Sequence, residues 1–163
     1  LEFEVLSLNA PYPLSYPHCI ENPSGLEWYK LYPDNWNQAT EEVFNLIYRI
    51  KKITEEGLPI EKTFLMGFSQ GASMAIEAGC SLNLKGIIGF GGYGNPKWSP
   101  PQIYPQIYLS HGLKDSIVIF KEIKDLINLF NDKDKIFISQ FDGGHEMIES
   151  EIIKLTKEII KNL

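Results

Sequence analysis

Apolar positions recur with two different periods along this chain, and the periods separate helices from strands. Apolar residues spaced three and four apart, or runs rich in Ala and Gly, predict helices at 37–56, 70–78, 117–130 and 147–161. Short apolar runs and one alternating segment predict strands at 1–8, 63–68, 86–90, 103–109 and 135–141. Because buried strands alternate with amphipathic helices, the pattern predicts an α/β fold with a mostly parallel sheet and helices on both faces.

One long segment has neither period. Residues 9–36 contain five prolines, which remove backbone donors and fix φ, so a long loop is predicted there. Loops of this length in a compact domain are usually functional or mobile. With 163 residues in all, the chain is expected to form a single domain spanning 1–163.

Composition excludes several classes of protein. The net charge is −6 and no basic block occurs, so nucleic acid is not expected as a partner. The apolar runs are far shorter than the ~20 residues that cross a bilayer, and no signal segment opens the chain. Cys19 and Cys80 are far apart and are expected to be free thiols. We therefore expect a soluble, cytoplasmic protein with no membrane span.

The first chemical signal lies between a predicted strand and a predicted helix. Gly67-Phe68-Ser69-Gln70-Gly71 has the form of a nucleophile elbow, in which a tight strand-to-helix turn lifts a serine hydroxyl above the sheet. The helix N-terminus beneath such a serine favours developing negative charge. The alternative is an ordinary junction at which Ser69 caps the helix.

A candidate acid follows another predicted strand. Asp115 ends the segment Ser110-His111-Gly112-Leu113-Lys114-Asp115, and its role would be to orient an imidazole and stabilise its charged form. Ligands of open α/β sheets bind at the carboxyl ends of the strands, where Ser69 also lies. The alternatives are that Asp115 only caps the next helix, or that Asp142 is the acid. His111, within the same turn, is interpreted as structural.

A candidate base follows the last predicted strand. His145 lies in the glycine-rich turn Asp142-Gly143-Gly144-His145, and for a lone loop histidine the alternative is a solvated surface residue. The order serine, acid, histidine, each after its own strand, is that of α/β hydrolases and differs from other serine triads. Asp142 is three residues from His145 on one turn, which makes it an awkward partner for that ring.

These motifs resemble the phospholipase/carboxylesterase family of α/β hydrolases, which includes acyl-protein thioesterases. The similarity runs from Asn9 onward and includes Asn9-Ala10-Pro11, the elbow with its glutamine, and the acid and base turns. It implies hydrolysis of acyl esters or thioesters without a cofactor or metal. It also implies that Trp28 and Tyr29 form an aromatic pair at the acyl site. Leu113 is a second residue predicted to contact substrate.

The chain departs from that family at its start. The resemblance implies an earlier strand and a glycine-rich loop that completes the oxyanion hole, and nothing before Leu1 supplies them. We expect an N-terminally incomplete domain with an unpaired strand near 63–68, or a sheet that closes differently.

The function predicted from the sequence is that of a serine esterase or thioesterase. Ser69 would be the nucleophile, His145 the base, Asp115 the acid and the Gln70 backbone N–H an oxyanion donor. The substrate would be a small or lipid-like acyl ester or thioester. The alternative is a weakly active or inactive hydrolase-like domain that only binds a ligand; the oligomeric state is not predicted.

Overall fold

The computed structural model describes residues 4–31 and 35–163. In chain order the strands and helices are β1 (Tyr12–Pro13), β2 (Leu26–Glu27), α1 (Trp36–Glu55), β3 (Phe64–Phe68), α2 (Gln70–Gly79), β4 (Gly86–Phe90), β5 (Gln106–Gly112), α3 (Phe120–Asn128), β6 (Ile136–Phe141) and α4 (Glu149–Lys161). Single 3-10 turns lie at His18–Ile20, Ile60–Lys62 and Lys133–Lys135.

The main sheet has four strands in the order β3-β4-β5-β6, and every neighbouring pair is parallel. Phe68 lies opposite Phe90, and Gly112 lies opposite Phe141, so the carboxyl ends of these strands meet at one edge of the sheet. Each connection crosses back through a helix or loop, as parallel strands require. The predicted parallel sheet is confirmed, and this edge is where the site forms.

Helices cover both faces of the sheet because side chains alternate along each strand. The larger core joins one strand face to α1, α2 and α3, through residues such as Leu46, Ile76, Ile87, Ile107 and Ile123. The smaller core joins the opposite face to α4, through Phe90, Tyr108, Leu155 and Ile159. The predicted α/β class with helices on both faces is therefore confirmed.

The strand predicted over 1–8 is wrong where the structure describes it. Residues 4–8 belong to no strand or helix, while residues 1–3 lie outside the described residues. Val5 is 86% exposed, so this segment buries no apolar side at that position. Alternation alone does not make a strand, because a strand needs a neighbour to pair with, and none of the strands within 4–31 and 35–163 pairs with residues 4–8.

Two further boundaries differ from the predicted ones. The strand expected over 103–109 runs from Gln106 to Gly112, since Pro105 has no N–H to donate to a ladder. The helix expected over 117–130 begins only at Phe120. The proline-rich loop is largely irregular, as predicted, but contains the two-residue antiparallel ladder between β1 and β2.

β3 lies at one edge of the four-stranded sheet. Its outer side has no partner strand among residues 4–31 and 35–163, and its side chains Met66 and Phe68 are 59% and 39% exposed. The expected unpaired edge near 63–68 is thus present, although it faces outward rather than lying within the core. None of the described helices is both long enough and apolar enough to cross a membrane.

Candidate active site

Ser69 lies on a strained turn between β3 and α2. Its φ of 54° is the only positive φ of a non-glycine residue in the described part of the chain, a conformation that costs about 1–3 kcal/mol. Gly67 permits this turn, because a Cβ there would lie 2.1 Å from the Gly71 carbonyl oxygen. The Ser69 side chain makes no capping hydrogen bond to the helix, so the capping alternative is contradicted and the hydroxyl is available for chemistry.

Asp115 is buried just beyond β5, in a turn that orients both of its oxygens. Oδ1 accepts hydrogen bonds from the backbone N–H groups of Ile117 (2.9 Å) and Val118 (2.8 Å). These bonds hold the turn before α3 rather than capping the helix itself, which begins at Phe120. The second oxygen, Oδ2, lies 2.7 Å from His145 Nδ1.

His145 joins the other two side chains into one hydrogen-bonded row. Because the Asp115 oxygen accepts, Nδ1 carries the proton, which leaves Nε2 to accept from the Ser69 hydroxyl at 2.8 Å. The imidazole packs against the Phe68 ring, with centroids 4.8 Å apart. A Cβ on Gly91 would come within 3.1 Å of the same imidazole. The structure thus brings together the three residues that the sequence predicted from separate strand ends.

The acid and base turns are built against each other. Gly112 allows this contact, since a Cβ there would lie 2.2 Å from the Gly144 carbonyl oxygen. The Leu113 N–H donates to the Phe141 carbonyl, and the Lys114 N–H donates to the Gly143 carbonyl, both at 2.9 Å. These backbone contacts between the two turns fix the distance between Asp115 and His145.

Asp142, the other candidate acid, does not bond to the His145 ring in this structure. Asp142 is exposed and pairs with Lys114 at 2.7 Å, whereas the imidazole of His145 bonds to Asp115. His111 is 1% exposed, and its Nε2 donates to the Val118 carbonyl at 2.8 Å. Its Nε2 also lies 3.5 Å from Asp115 Oδ2, so this ring supports the acid turn, in agreement with the structural interpretation.

Gln70 and Trp28 lie beside this row. Gln70 is the first residue of α2, so its backbone N–H has no partner within the helix and can face an oxyanion. Trp28 is half-buried, and its indole Nε1 lies 3.8 Å from the point that a Cβ on Gly71 would occupy. Leu113 is 50% exposed and lies in the turn next to Asp115.

A cavity of about 310 Å³ lies between the proline-rich loop and the acid turn. Leu14, Leu31 and Ile117 contribute its apolar lining. Its remaining walls come from His18, Glu21 and Asn22. Leu31 is three residues from Trp28, and Ile117 is two from Asp115. Leu113 does not line this cavity, so the only placement that the structure gives it is on the exposed turn.

Two polar side chains were not among the groups predicted from the sequence: the carboxamide of Gln70 and the carboxyl of Glu77. The Gln70 carboxamide bonds to the backbone at Trp28 and Tyr29, and Glu77 is buried on α2 next to Asn95. Burial raises the pKa of Glu77 to about 7, and hydrogen bonds from the side chain and the backbone of Asn95 oppose that rise. A glutamate on the apolar face of a short Ala-rich helix was the available signal for the second group.

A family model described as Phospholipase/Carboxylesterase matches residues 4–163. Among individual relatives, an acyl-protein thioesterase 1 of Debaryomyces hansenii is 28% identical over an alignment of 130 residues that covers 73% of this chain and 55% of that protein. A probable carboxylesterase of Oryza sativa subsp. japonica is 27% identical over 122 residues, 67% of this chain and 46% of that protein. The chain thus spans about half the length of the curated relatives it matches.

Solved structures share the fold. The esterase PE8 superposes with a TM-score of 0.74 at 28% identity, covering 95% of this chain and 76% of that one. SOBER1 of Arabidopsis thaliana superposes with a TM-score of 0.68 at 21% identity, covering 94% of this chain and 80% of that one. The second likeness shows the fold alone, and both fit the sheet and helix arrangement described above.

Proposed function

The chain belongs to the phospholipase/carboxylesterase family, and from this premise we propose that it is a serine hydrolase of acyl esters or thioesters. The observation that carries the proposal is the hydrogen-bonded row from Asp115 through His145 to Ser69. A neutral imidazole that is oriented on one side and bonded to a hydroxyl on the other is arranged to remove the hydroxyl proton.

In the first half of the reaction, the Ser69 oxygen attacks the acyl carbonyl carbon while His145 Nε2 takes the hydroxyl proton. Asp115 accepts from Nδ1 and stabilises the positive charge that forms on the imidazole. The Gln70 N–H donates to the carbonyl oxygen as it becomes negative, and the N-terminus of α2 favours that charge. His145 then protonates the leaving alcohol or thiol, and the carbon–oxygen or carbon–sulfur bond breaks.

In the second half, water takes the place of the leaving group. His145 removes a proton from that water as its oxygen attacks the acyl-enzyme carbonyl. The bond to Ser69 breaks, the proton returns to the serine oxygen, and the free carboxylic acid leaves. No redox step occurs, and the residues of the row return to their starting protonation.

The acyl chain would lie against the indole of Trp28, on the side of the proline-rich loop. This placement is supported by the half-buried Trp28 indole, which lies against the first turn of α2. It is also supported by the neighbouring cavity, whose apolar lining includes Leu31. The role of Leu113 as a substrate contact stays a prediction, as does a cytoplasmic location. A second oxyanion donor and a strand alongside β3 stay predictions from the family resemblance.

The proposal is tested by hydrolysis of a short p-nitrophenyl ester and of a thioester with the same acyl group. Ser69→Ala should lower turnover by at least about 10³-fold, because removing a triad nucleophile typically costs several decades. Its matched control is Ser81→Ala, which removes an exposed hydroxyl just beyond the same helix. Near-full activity of Ser69→Ala would refute the assignment, and no turnover by the unaltered chain would favour a binding domain.

A further inference from the structure

The side chain of Gln70 links the nucleophile turn to a segment about 40 residues earlier in the chain. Its Oε1 accepts from the Trp28 N–H at 2.8 Å, and its Nε2 donates to the Tyr29 carbonyl at 2.8 Å. Gln70 is 9% exposed, so both bonds are largely shielded from water. A single carboxamide therefore binds the backbone at two consecutive residues, through the Trp28 N–H and the Tyr29 carbonyl.

The geometry makes this contact specific for glutamine. One atom must accept and the other must donate, and a carboxamide supplies both from one planar group. A glutamate would keep the acceptor for Trp28 but would direct a second acceptor toward the Tyr29 carbonyl. A methionine would fill similar space but would leave the Trp28 N–H and the Tyr29 carbonyl without these partners.

The linked segment carries the predicted acyl wall. Tyr29 is buried and its hydroxyl lies 2.7 Å from that of Tyr93, which fixes the far side of the segment. Trp28 projects to the side that faces Ser69, where its indole lies against the first turn of α2. The Arg49 guanidinium lies 5.9 Å from the centroid of the Trp28 ring. Of these contacts, the one made by the Gln70 carboxamide comes from the residue next to Ser69.

We propose that Gln70 is a positioning residue that sets acyl-chain selectivity by holding Trp28 beside Ser69. The inference rests on the proposed function, because it gives the Trp28 indole the acyl chain as its ligand. The Gln70 backbone would serve the oxyanion, while its side chain aligns the apolar wall with the same reacting carbonyl. Loss of the Gln70 side chain should then lower kcat/KM for an ester with a long acyl chain more than kcat/KM for an ester with a short one.

The test compares kcat/KM for p-nitrophenyl octanoate and p-nitrophenyl acetate in Gln70→Met, Trp28→Ala and the double variant. Gln70→Met should lower the octanoate-to-acetate ratio about tenfold, mainly through KM for octanoate, since a misplaced wall costs binding of the long chain. Trp28→Ala should lower the ratio by a similar factor, and the double variant should fall no further. Gln102→Met, at an exposed loop position, is the matched control.

Two outcomes would overturn the proposal. Either Gln70→Met lowers both esters alike and leaves the ratio within about twofold, or it still lowers the ratio about tenfold when Trp28 is already alanine. Gln70→Glu provides a second variant, which keeps one of the two bonds and should show an intermediate ratio.

A readout independent of turnover separates this inference from the proposed function. Acrylamide quenching of Trp28 fluorescence, taken as the difference between each protein and its Trp28→Phe counterpart, reports how well the indole is held. Gln70→Met should raise that quenching, and unchanged quenching would refute the positioning role even in an active enzyme. Reaction of Ser69 with a fluorophosphonate tests the proposed function by itself.

Discussion

Asp115 and Glu77 are equally buried carboxylic acids, each 5% exposed, but they lie in different surroundings. The Asp115 turn supplies two backbone N–H donors and the His145 ring. The Glu77 pocket supplies donors from one residue only, Asn95, through its side-chain amide at 3.4 Å and through its backbone. Burial is therefore the same in the two regions, and the number of hydrogen-bond donors is what differs.

The consequence of that difference is visible at Glu77. Burial raises its pKa to about 7, because the side-chain and backbone hydrogen bonds from Asn95 offset only part of the hydration that the carboxylate loses. The thiol of Cys80 nearby has its pKa raised to about 12, first by burial and second by the charge of Glu77. Asp115, in contrast, is held by three partners, the N–H groups of Ile117 and Val118 and the ring of His145. A buried acid is thus suited to orient a histidine only where the backbone is folded around it.

Of the two buried acids, Asp115 is expected to show the larger effect when it is replaced, and the effect is on activity. Asp115→Asn should lower kcat/KM for a short p-nitrophenyl ester by about 10³–10⁴-fold, because an amide favours the wrong tautomer of His145. Asp142→Asn is the matched control and should change kcat/KM by less than about threefold, since its partner is the exposed Lys114. Equal losses, or a larger loss at Asp142, would move the acid to the other turn.

A smaller effect, on stability rather than turnover, is expected at Glu77. Its pKa is 4.5 for the free side chain and about 7 in the folded protein, so the folded state binds the proton more tightly. The stability contributed by that proton is present below about pH 4.5 and is lost as the pH rises through 7. Glu77→Gln is neutral at every pH, and should therefore gain on the order of 3 kcal/mol over the unaltered chain at pH 8.

Urea unfolding at pH 5 and pH 8 measures this difference. The stability advantage of Glu77→Gln should be clearly larger at pH 8, while Glu61→Gln, at an exposed position, should show no such trend. An advantage that is the same at both values would mean that Glu77 does not carry the proton. Turnover of Glu77→Gln should remain within about threefold, since Glu77 has no contact with the Ser69–His145–Asp115 row.

The same contrast explains what could be predicted from the sequence. Ser69, Asp115 and His145 each follow a strand within a short local motif, and parallel strands bring such ends together. The Gln70 carboxamide and the Glu77 pocket depend on partners that are distant in the chain, 42 residues away at Trp28 and 18 at Asn95. A glutamate on the apolar face of α2 indicates a buried acid at Glu77, but local patterns do not specify distant partners such as Asn95 or the backbone at Trp28.

The fold follows a similar division. From Trp36 onward the ends of the helices and strands agree with the periodic pattern to within about two residues, apart from both ends of β5, whose start Pro105 delays, and the start of α3. The segment at 4–8 has the alternation of a strand, yet none of the described strands pairs with it. Its structure depends on a neighbour, which periodicity along one segment does not specify.

The most direct test of the central assignment is covalent labelling with a fluorophosphonate, followed by mass spectrometry of the tryptic peptide 63–85. Ser69 alone should carry the adduct, because His145 activates only the hydroxyl to which it is bonded. Fragmentation of that peptide distinguishes Ser69 from Ser73 and Ser81, and His145→Ala should slow the labelling strongly. An adduct on any other residue, or no adduct on the folded chain, would contradict the account.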